Sequence, residues 1–255
     1  MKSYEYQRNY ELDQNYWWFV GVRSMVDTLL ALSVSNKKNL GKVLDVGCGT
    51  GALLDKLKDR SEELWGLDVS EEALNFCRMR GHKNLVLADA TKTGLLSDYF
   101  DVITAIGVIE HIKDDKAFIN EMRRILKPGG VIIILTSSFP FLWSIHDVAN
   151  EHIKRYYLRE FKSEMGEGGF STIRISHMNF FLFLPIATVL LLHRLVFGTN
   201  SKKPERILPK VPSLVNFFLI LILKIESRLM YWITLPWGIS MIGVFRKKLS
   251  EKSLS

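Results

Sequence analysis

Two clusters of residues in this 255-residue chain carry types and spacings suited to chemistry. The first is Val43-Leu44-Asp45-Val46-Gly47-Cys48-Gly49-Thr50-Gly51, an apolar segment ending in an acid and followed by glycine at alternate positions. Glycines there let the backbone bend sharply and bring a ligand against main-chain N–H groups with no Cβ between them. A helix over Ala52–Leu57 would offer its N-terminus to the polar end of a nucleoside-type cofactor. Asp68 closes a second apolar segment, Glu63–Asp68, 19 residues after Gly49. Units of this kind set there the carboxylate that accepts both ribose hydroxyls. Gly47, Gly49 and Ala52 also satisfy the loose G-x-G-x-x-G/A fingerprint, so a nicotinamide dinucleotide is the competing ligand.

The second cluster follows Ser137-Ser138-Phe139-Pro140 and reads His146-Asp147…Glu151-His152-Ile-Lys154-Arg155-Tyr156. A histidine of near-neutral pKa beside cationic and phenolic groups suits removing a proton from a hydroxyl or holding a phosphate. His152 is the leading candidate base, with His146, His111 and Tyr156 as further catalytic candidates. A buried structural histidine is the plain alternative for each. No convincing metal cluster is present, and Cys48 and Cys77 are too few and too far apart for a disulfide scaffold or a metal site.

These clusters need positioning elements, and the chain supplies them in alternation. Asn84–Ala90 and Asp101–Ile112 read as third and fourth apolar strands, and Asp114–Leu126 has helical periodicity through Phe118, Met122, Ile125 and Leu126. Lys127-Pro128-Gly129-Gly130 should stop that helix before a fifth strand, Val131–Leu135. Continuous apolar runs separated by helices predict parallel strands buried on both faces. The expected fold is therefore α/β: a doubly wound, seven-stranded Rossmann-like sheet, strands one to five parallel and the last antiparallel.

Taken in order, L-D-V-G-C-G-T-G, G-L-D, A-D-A, D-V-I-T-A-I-G-V-I-E-H-I and L-K-P-G-G resemble the class I S-adenosylmethionine-dependent methyltransferases. The resemblance covers roughly residues 40–178 and a final strand at Gly238–Phe245. It implies S-adenosylmethionine as cofactor. Asp45 would orient the glycine loop or reach the amino group of the methionine part, and Gly47, Cys48, Gly49 and Gly51 would line the cofactor. Asp68 and Val69 would sit by the ribose, Asp89 and Ala90 by the adenine, and Gly107, Val108 and Glu110 under the methionine side. The start of the chain, Tyr16-Trp17-Trp18-Phe19 with Arg23, is similar to the W-W-F opening of bacterial methyltransferases of glycans and lipids. That likeness implies a lid in which Trp18 covers the cofactor and Arg23 pairs with its carboxylate. Core packing for a capping helix is the other role for these aromatics. Members with this opening also tend to carry H-x-R-R-Y; here Lys154 stands at the first arginine.

Charge and hydropathy single out the C-terminal third. Residues 179–237 carry Arg194, Lys202, Lys203, Arg206, Lys210, Lys224 and Arg228 against only Glu205 and Glu226. The tail adds Arg246, Lys247, Lys248 and Lys252 against Glu251, so the net charge of +7 comes from this third, residues 1–178 carrying a net −1. The same third is apolar: Phe180–Leu192, with an expected kink at Pro185, then Leu214–Leu223 and Leu229–Trp237. The first two runs fall short of the ~18–20 residues that cross a bilayer, yet a methyltransferase sheet should not need them as core. Short apolar helices flanked by Lys/Arg and Trp/Tyr fit a segment lying in the headgroup plane. A dimer interface or a closed substrate pocket is the competing role. Nucleic acid is disfavoured because the basic residues are interleaved with aliphatic runs.

The expected organisation is a helical cap (1–40), a cofactor-binding core (41–178), an apolar basic helical insertion (179–237) and a last strand with basic tail (238–255). Met1–Arg8 shows no apolar core segment, so no secretory signal is expected and a reducing cytoplasmic setting follows. The leading expectation is a methyltransferase peripheral on the inner membrane face, acting on a hydrophobic or lipid-linked acceptor such as a polyprenyl-linked glycan. A soluble enzyme for a quinone or natural product and a non-catalytic cofactor-binding membrane scaffold are the alternatives.

Overall fold

The computed structural model describes residues 3–36, 38–197 and 211–249. Lys202, Lys203, Glu205, Arg206 and Lys210 of the expected insertion, and Glu251 and Lys252 of the tail, lie outside the described residues.

Strands β1 (Lys42–Val46), β2 (Glu63–Asp68), β3 (Asn84–Leu87), β4 (Phe100–Ile106), β5 (Leu126–Ser137), β6 (Phe170–Met178) and β7 (Ser240–Lys247) form one sheet. Their order is β3-β2-β1-β4-β5-β7-β6. The first five are mutually parallel, and β7 runs antiparallel to both β5 and β6. The expected seven-stranded, doubly wound sheet with an antiparallel last strand is thus borne out. The chain reverses between β1 and β4, which opens the crevice where such sheets take their ligands.

Helices cover both faces because neither face is polar. On one, α5 (Asp115–Ile125) buries Phe118, Ile119, Met122 and Ile125, and α7 (Leu158–Glu167) buries Phe161 and Met165. Asp114 caps α5 by accepting from the Ala117 N–H at 2.9 Å. On the other, α2 (Trp17–Ser33) buries Met25, Val26, Leu29 and Leu30. Helices α3 (Ala52–Leu57) and α4 (Glu71–Met79) follow β1 and β2, while α1 (Ser3–Leu12) precedes α2.

The structure corrects three local expectations. The Leu126–Gly130 segment does not separate helix from strand: β5 begins at Leu126, fully buried, and the register slips between Phe100 and Val102 to absorb it. Pro185 does not kink its helix, because α8 (Phe183–Phe197) starts two residues earlier and a first turn has no use for the missing N–H. The last two apolar runs belong largely to one helix, α9 (Ser213–Trp232), packed on α2.

That packing also overturns the idea that the sheet has no need of these residues. Leu223 and Met230 are fully buried in the core beneath α2. Gly21 makes the close approach available, since a Cβ there would lie 2.1 Å from Leu223 Cδ1. Asn216 interrupts the apolar run because it caps the neighbouring helix: its Oδ1 accepts from the Trp17 N–H and its Nδ2 donates to the Asn15 carbonyl, both at 2.9 Å. Glu226, fully buried, accepts from the N–H groups of Asn179 (2.8 Å) and Phe181 (3.0 Å), pinning the chain where it leaves β6. The outer faces of α8 and α9 still expose Leu184, Leu192, Leu195, Leu214, Phe218 and Trp232. No helix among the described residues is long and apolar enough to cross a membrane.

Candidate active site

The glycine loop sits at the C-terminal end of β1, beside the reversal point. Gly47, Gly49 and Gly51 have φ of +66°, +53° and +83°, a region costly for any residue with a Cβ. Gly47 and Cys48 donate to the Leu67 carbonyl at 2.7 and 3.0 Å, tying the loop to β2. Gly49 donates to Asp68 Oδ2 and Ser70 to Asp68 Oδ1, each at 2.9 Å. Burial pushes the Asp68 carboxyl above its ordinary pKa, against the pull of these N–H groups. A carboxylate offers about four lone-pair sites, so both oxygens retain capacity for a diol. A Cβ on Gly49 would meet nothing within 4 Å, and Val69, next to Asp68, is 70% exposed. An open cradle, a buried acceptor carboxylate and an uncovered apolar side chain together fit an adenosyl group.

Asp45 lies behind the loop, fully shielded, and accepts from Thr104 Oγ1 at 2.6 Å. Burial raises its carboxyl to about 7 despite that hydrogen bond. Asp89 is exposed at the end of β3 and accepts from the Thr91 N–H (2.7 Å) and hydroxyl (2.6 Å), while Ala90 beside it is buried. Gly107 turns the chain after β4 with φ +70°, and Val108 packs against the glycine loop, its Cγ2 lying 2.5 Å from where a Gly47 Cβ would be. The Glu110 carboxylate faces inward and accepts from Thr136 Oγ1 at 2.9 Å, with burial raising its pKa.

Three expected cofactor contacts have other partners. The Arg23 guanidinium donates to the carbonyls of Asp13 (2.6 Å) and Gln14 (2.9 Å), so its fork holds the turn between α1 and α2. Trp18 packs edge-to-face with Trp17 against the α2 core. The Cys48 side chain points away from the loop surface, 3.8 Å from Cys77 Sγ, within a small core with Leu54 and Leu74. Both thiols are free, and the fold makes neighbours of two cysteines that the sequence separates widely.

The N-terminal helices do reach the glycine loop, through residues the sequence reading missed. Asp13, 1% exposed, accepts from Thr50 Oγ1 at 2.6 Å and from Arg80 Nη2 at 2.8 Å. Arg80 also donates to the Thr50 carbonyl and to Asp55, each at 2.7 Å. This latch spans α1, the glycine loop and α4, and no short sequence spacing announces it.

On the other side of the crevice the structure gathers most of the expected catalytic residues. The turn after β4 ends in a 3-10 helix, Ile109–His111, and the Ile153 N–H donates to the Glu110 carbonyl at 2.8 Å. That bond brings the rings of His111 and His152 to 5.0 Å, edge to face. His111 Nδ1 lies 3.1 Å from the Glu151 carbonyl. His152 Nδ1 is 3.0 Å from Asp147 Oδ1, an oxygen that also accepts from Arg155 Nε at 2.7 Å. Burial alone would raise the Asp147 carboxyl, but the hydrogen bonds from His152 and Arg155 hold it below its ordinary value. An ionised carboxylate only accepts, so Nδ1 carries a proton, and in the neutral ring the lone pair is on Nε2.

Tyr156 and His146 do not join this centre. The Tyr156 hydroxyl is buried against the Ile109 carbonyl (3.2 Å) and Asp115 (3.1 Å), and burial raises its pKa further from use as a base. His146, on α6 (Ile145–Ala149), turns toward His193 of α8, their rings 6.3 Å apart. Burial lowers its pKa. Asp147 and Arg155 are the residues that reading by histidine alone undervalued. Among the described residues no group of three or more His, Cys, Asp or Glu is placed to hold a metal ion.

Residues 44–134 match the family model described as a methyltransferase domain. The ubiquinone biosynthesis O-methyltransferase of Idiomarina loihiensis is 33% identical over 119 residues, 44% of this chain and 49% of that protein. The chain spans about half the length of the curated relatives it matches. Among solved structures, an S-adenosylmethionine-dependent methyltransferase from Archaeoglobus fulgidus superposes with a TM-score of 0.53 at 20% identity, covering 88% of this chain and 94% of that one. Phosphoethanolamine N-methyltransferase 2 of Haemonchus contortus, solved with S-adenosyl-L-methionine, gives 0.54 at 19% identity, covering 88% and 52%. The matched segment runs from within β1 into β5 and so takes in the glycine loop and Asp68, and the solved structures share the fold.

Proposed function

We propose that the protein transfers a methyl group to a hydroxyl of a hydrophobic, ring-bearing small molecule of the quinone-precursor kind. One observation carries the choice of oxygen: a histidine whose Nδ1 lies 3.0 Å from a buried carboxylate, beside the turn that follows β4. The name of the Idiomarina loihiensis relative points the same way. Bound S-adenosylmethionine supplies an electrophilic sulfonium methyl. The chain's part is to hold the cofactor through Asp68 and the loop at 47–51, to align the acceptor and to exclude water. A hydroxyl needs its proton removed as the new bond forms, and His152 Nε2 takes it while Asp147 supports the resulting imidazolium.

The test is a transfer assay with methyl-labelled cofactor and a panel of hydroxylated aromatic rings, with and without isoprenoid tails. Label should appear as a methyl ether. Label found only on nitrogen or carbon would sink this reading.

The finer placement of the acceptor at a membrane surface has its own support. The outward residues of α8 and α9 are apolar, and among the described residues from 180 to 237 the exposed charges are cationic, Glu226 being buried. Such a face suits an anionic bilayer. Co-sedimentation with anionic and neutral vesicles tests it, and a protein left wholly in the supernatant with both would exclude it.

A further inference from the structure

Beside the His152 centre lie polar atoms that the proposed chemistry leaves unused. Ser138 follows directly on the end of β5, bridged to Tyr156. Side chains alternate along a strand, so on β5 Thr136 shares the face of Ile132 and Ile134, and on β6 His177 shares that of Ile175; these isoleucines belong to one core cluster. It is the face on which Glu110 accepts from Thr136. His177 Nδ1 lies 3.3 Å from the Leu235 carbonyl. A carbonyl only accepts, so Nδ1 holds the proton and Nε2 presents a lone pair. Nε2 has no hydrogen-bond partner in the protein, nor does Ser138 Oγ, although the residues are only 4% and 0% exposed. Buried polar atoms are rarely left unsatisfied, and a partner from outside the protein removes the penalty. Burial lowers the His177 pKa, which keeps the ring neutral.

An aromatic shelf adjoins them. The Phe139 ring stacks on His177 with centroids 4.9 Å apart and planes 9° from parallel. Phe141, Phe183 and Tyr157 surround Phe139 at 5.3, 5.9 and 6.3 Å. Phe139 has φ +60°, an unusual conformation for an aromatic residue, with its N–H donating to the Tyr156 carbonyl at 2.9 Å. The Ser138 carbonyl accepts from Arg155 Nη1 at 2.9 Å, and Arg155 also holds Asp147. The shelf and the candidate base are therefore braced by one guanidinium.

We propose that Ser138, His177 and Phe139 form the acceptor-recognition subsite, in which a second ring hydroxyl donates to His177 Nε2 and accepts from Ser138 Oγ while the ring lies along the aromatic shelf. The proposal rests on the hydroxyl-methylation reading above and adds which acceptors are chosen: rings bearing a polar donor besides the hydroxyl that is methylated.

The full chain with S-adenosylmethionine is assayed on a phenol and the catechol that differs from it by one hydroxyl. The wild type should favour the catechol in kcat/KM by at least about tenfold, since sites built to bond a hydroxyl reject analogues lacking it. In His177→Phe the ratio should fall toward one, mainly through KM for the catechol, and His177→Gln should restore part of it. Ser138→Ala gives a second reading should His177→Phe fail to fold, as checked by thermal unfolding. A ratio near one in the wild type, or an unchanged ratio in both His177→Phe and Ser138→Ala (in Ser138→Ala alone should His177→Phe fail to fold), overturns the subsite and leaves the methylation reading standing. Failure of the wild type to methylate either ring, with cofactor bound, removes the function reading and the subsite with it.

Discussion

Asp147 Oδ1 stands 3.0 Å from His152 Nδ1 and 2.7 Å from Arg155 Nε, so one fully buried oxygen orients an imidazole and is itself anchored by a guanidinium. The Ser144 N–H adds a third bond, to Oδ2 at 2.8 Å. The carboxylate cannot rotate without losing several partners, and the ring inherits that rigidity.

If His152 removes the acceptor proton, His152→Ala should lower kcat by about 10²–10⁴-fold with little change in cofactor affinity. Asp147→Asn should cost about 10- to 100-fold, the kinetic equivalent of a hydrogen bond to a charged group. Steady-state kinetics on a methylated hydroxyl acceptor checks both, and a wild-type kcat in His152→Ala would dismiss it as the base.

Asp45 gives a pH signature. Its carboxyl is raised from 3.8 to about 7 by burial, so the fold favours the protonated form. The stability it contributes is complete below about pH 4 and is lost as pH rises to about 7, a swing of about 4 kcal/mol. The Tm of cofactor-free wild type, minus that of Asp45→Asn, should therefore fall across pH 4–7. A flat difference would mean an ordinary carboxylate.

The latch predicts which cap residue the cofactor feels. Asp13→Ala frees Thr50 and leaves Arg80 with Asp55 as its remaining carboxylate. Breaking a buried pair this way should cost about 3 kcal/mol of stability and weaken S-adenosylmethionine binding at least about tenfold. Trp18→Ala, half-buried on α2 against the core, should leave binding much nearer wild type. Titration calorimetry on the two variants ranks them, and the reverse order would restore Trp18 as the cofactor's cover.

Helix contact at Gly21 yields a stability test. Alanine improves helix propensity by ~1 kcal/mol, but its Cβ would stand 2.1 Å from Leu223 Cδ1 and 2.8 Å from Leu223 Cβ. Overpacking of this kind costs about 1–3 kcal/mol, so Gly21→Ala should lower Tm by a few degrees. Pairing it with Leu223→Ala should recover part of the loss relative to the sum of the two single changes.

The sheet and the glycine loop were legible in the chain because their determinants are local. Apolar runs of one strand's length and glycines where φ must be positive at 47, 49 and 51 act within a few residues of one another, and Asp68 closes the next such run. The pairing of Gly49 with Asp68 follows once β1 and β2 lie side by side. The partners of Arg23 and Trp18 were not legible, because a guanidinium or an indole near a lid has many options, and here the turn at Asp13 and the α2 core supply them.

What tertiary structure alone decided is every contact that depends on the approach of distant segments. Asp13 meets Thr50 and Arg80, Cys48 meets Cys77, and Leu223 fills the space left at Gly21. The amphipathic periods of single helices do not specify which other helix will cover them, and α9 is apolar on its outer face as well. So the sequence by itself determined an α/β sheet with a glycine loop at its reversal point and histidines near its edge. Burial, which orphans His177 Nε2, raises Asp45 and orients His152 through Asp147, was set by packing, because desolvation belongs to the assembled surroundings of a group and not to its neighbours along the chain.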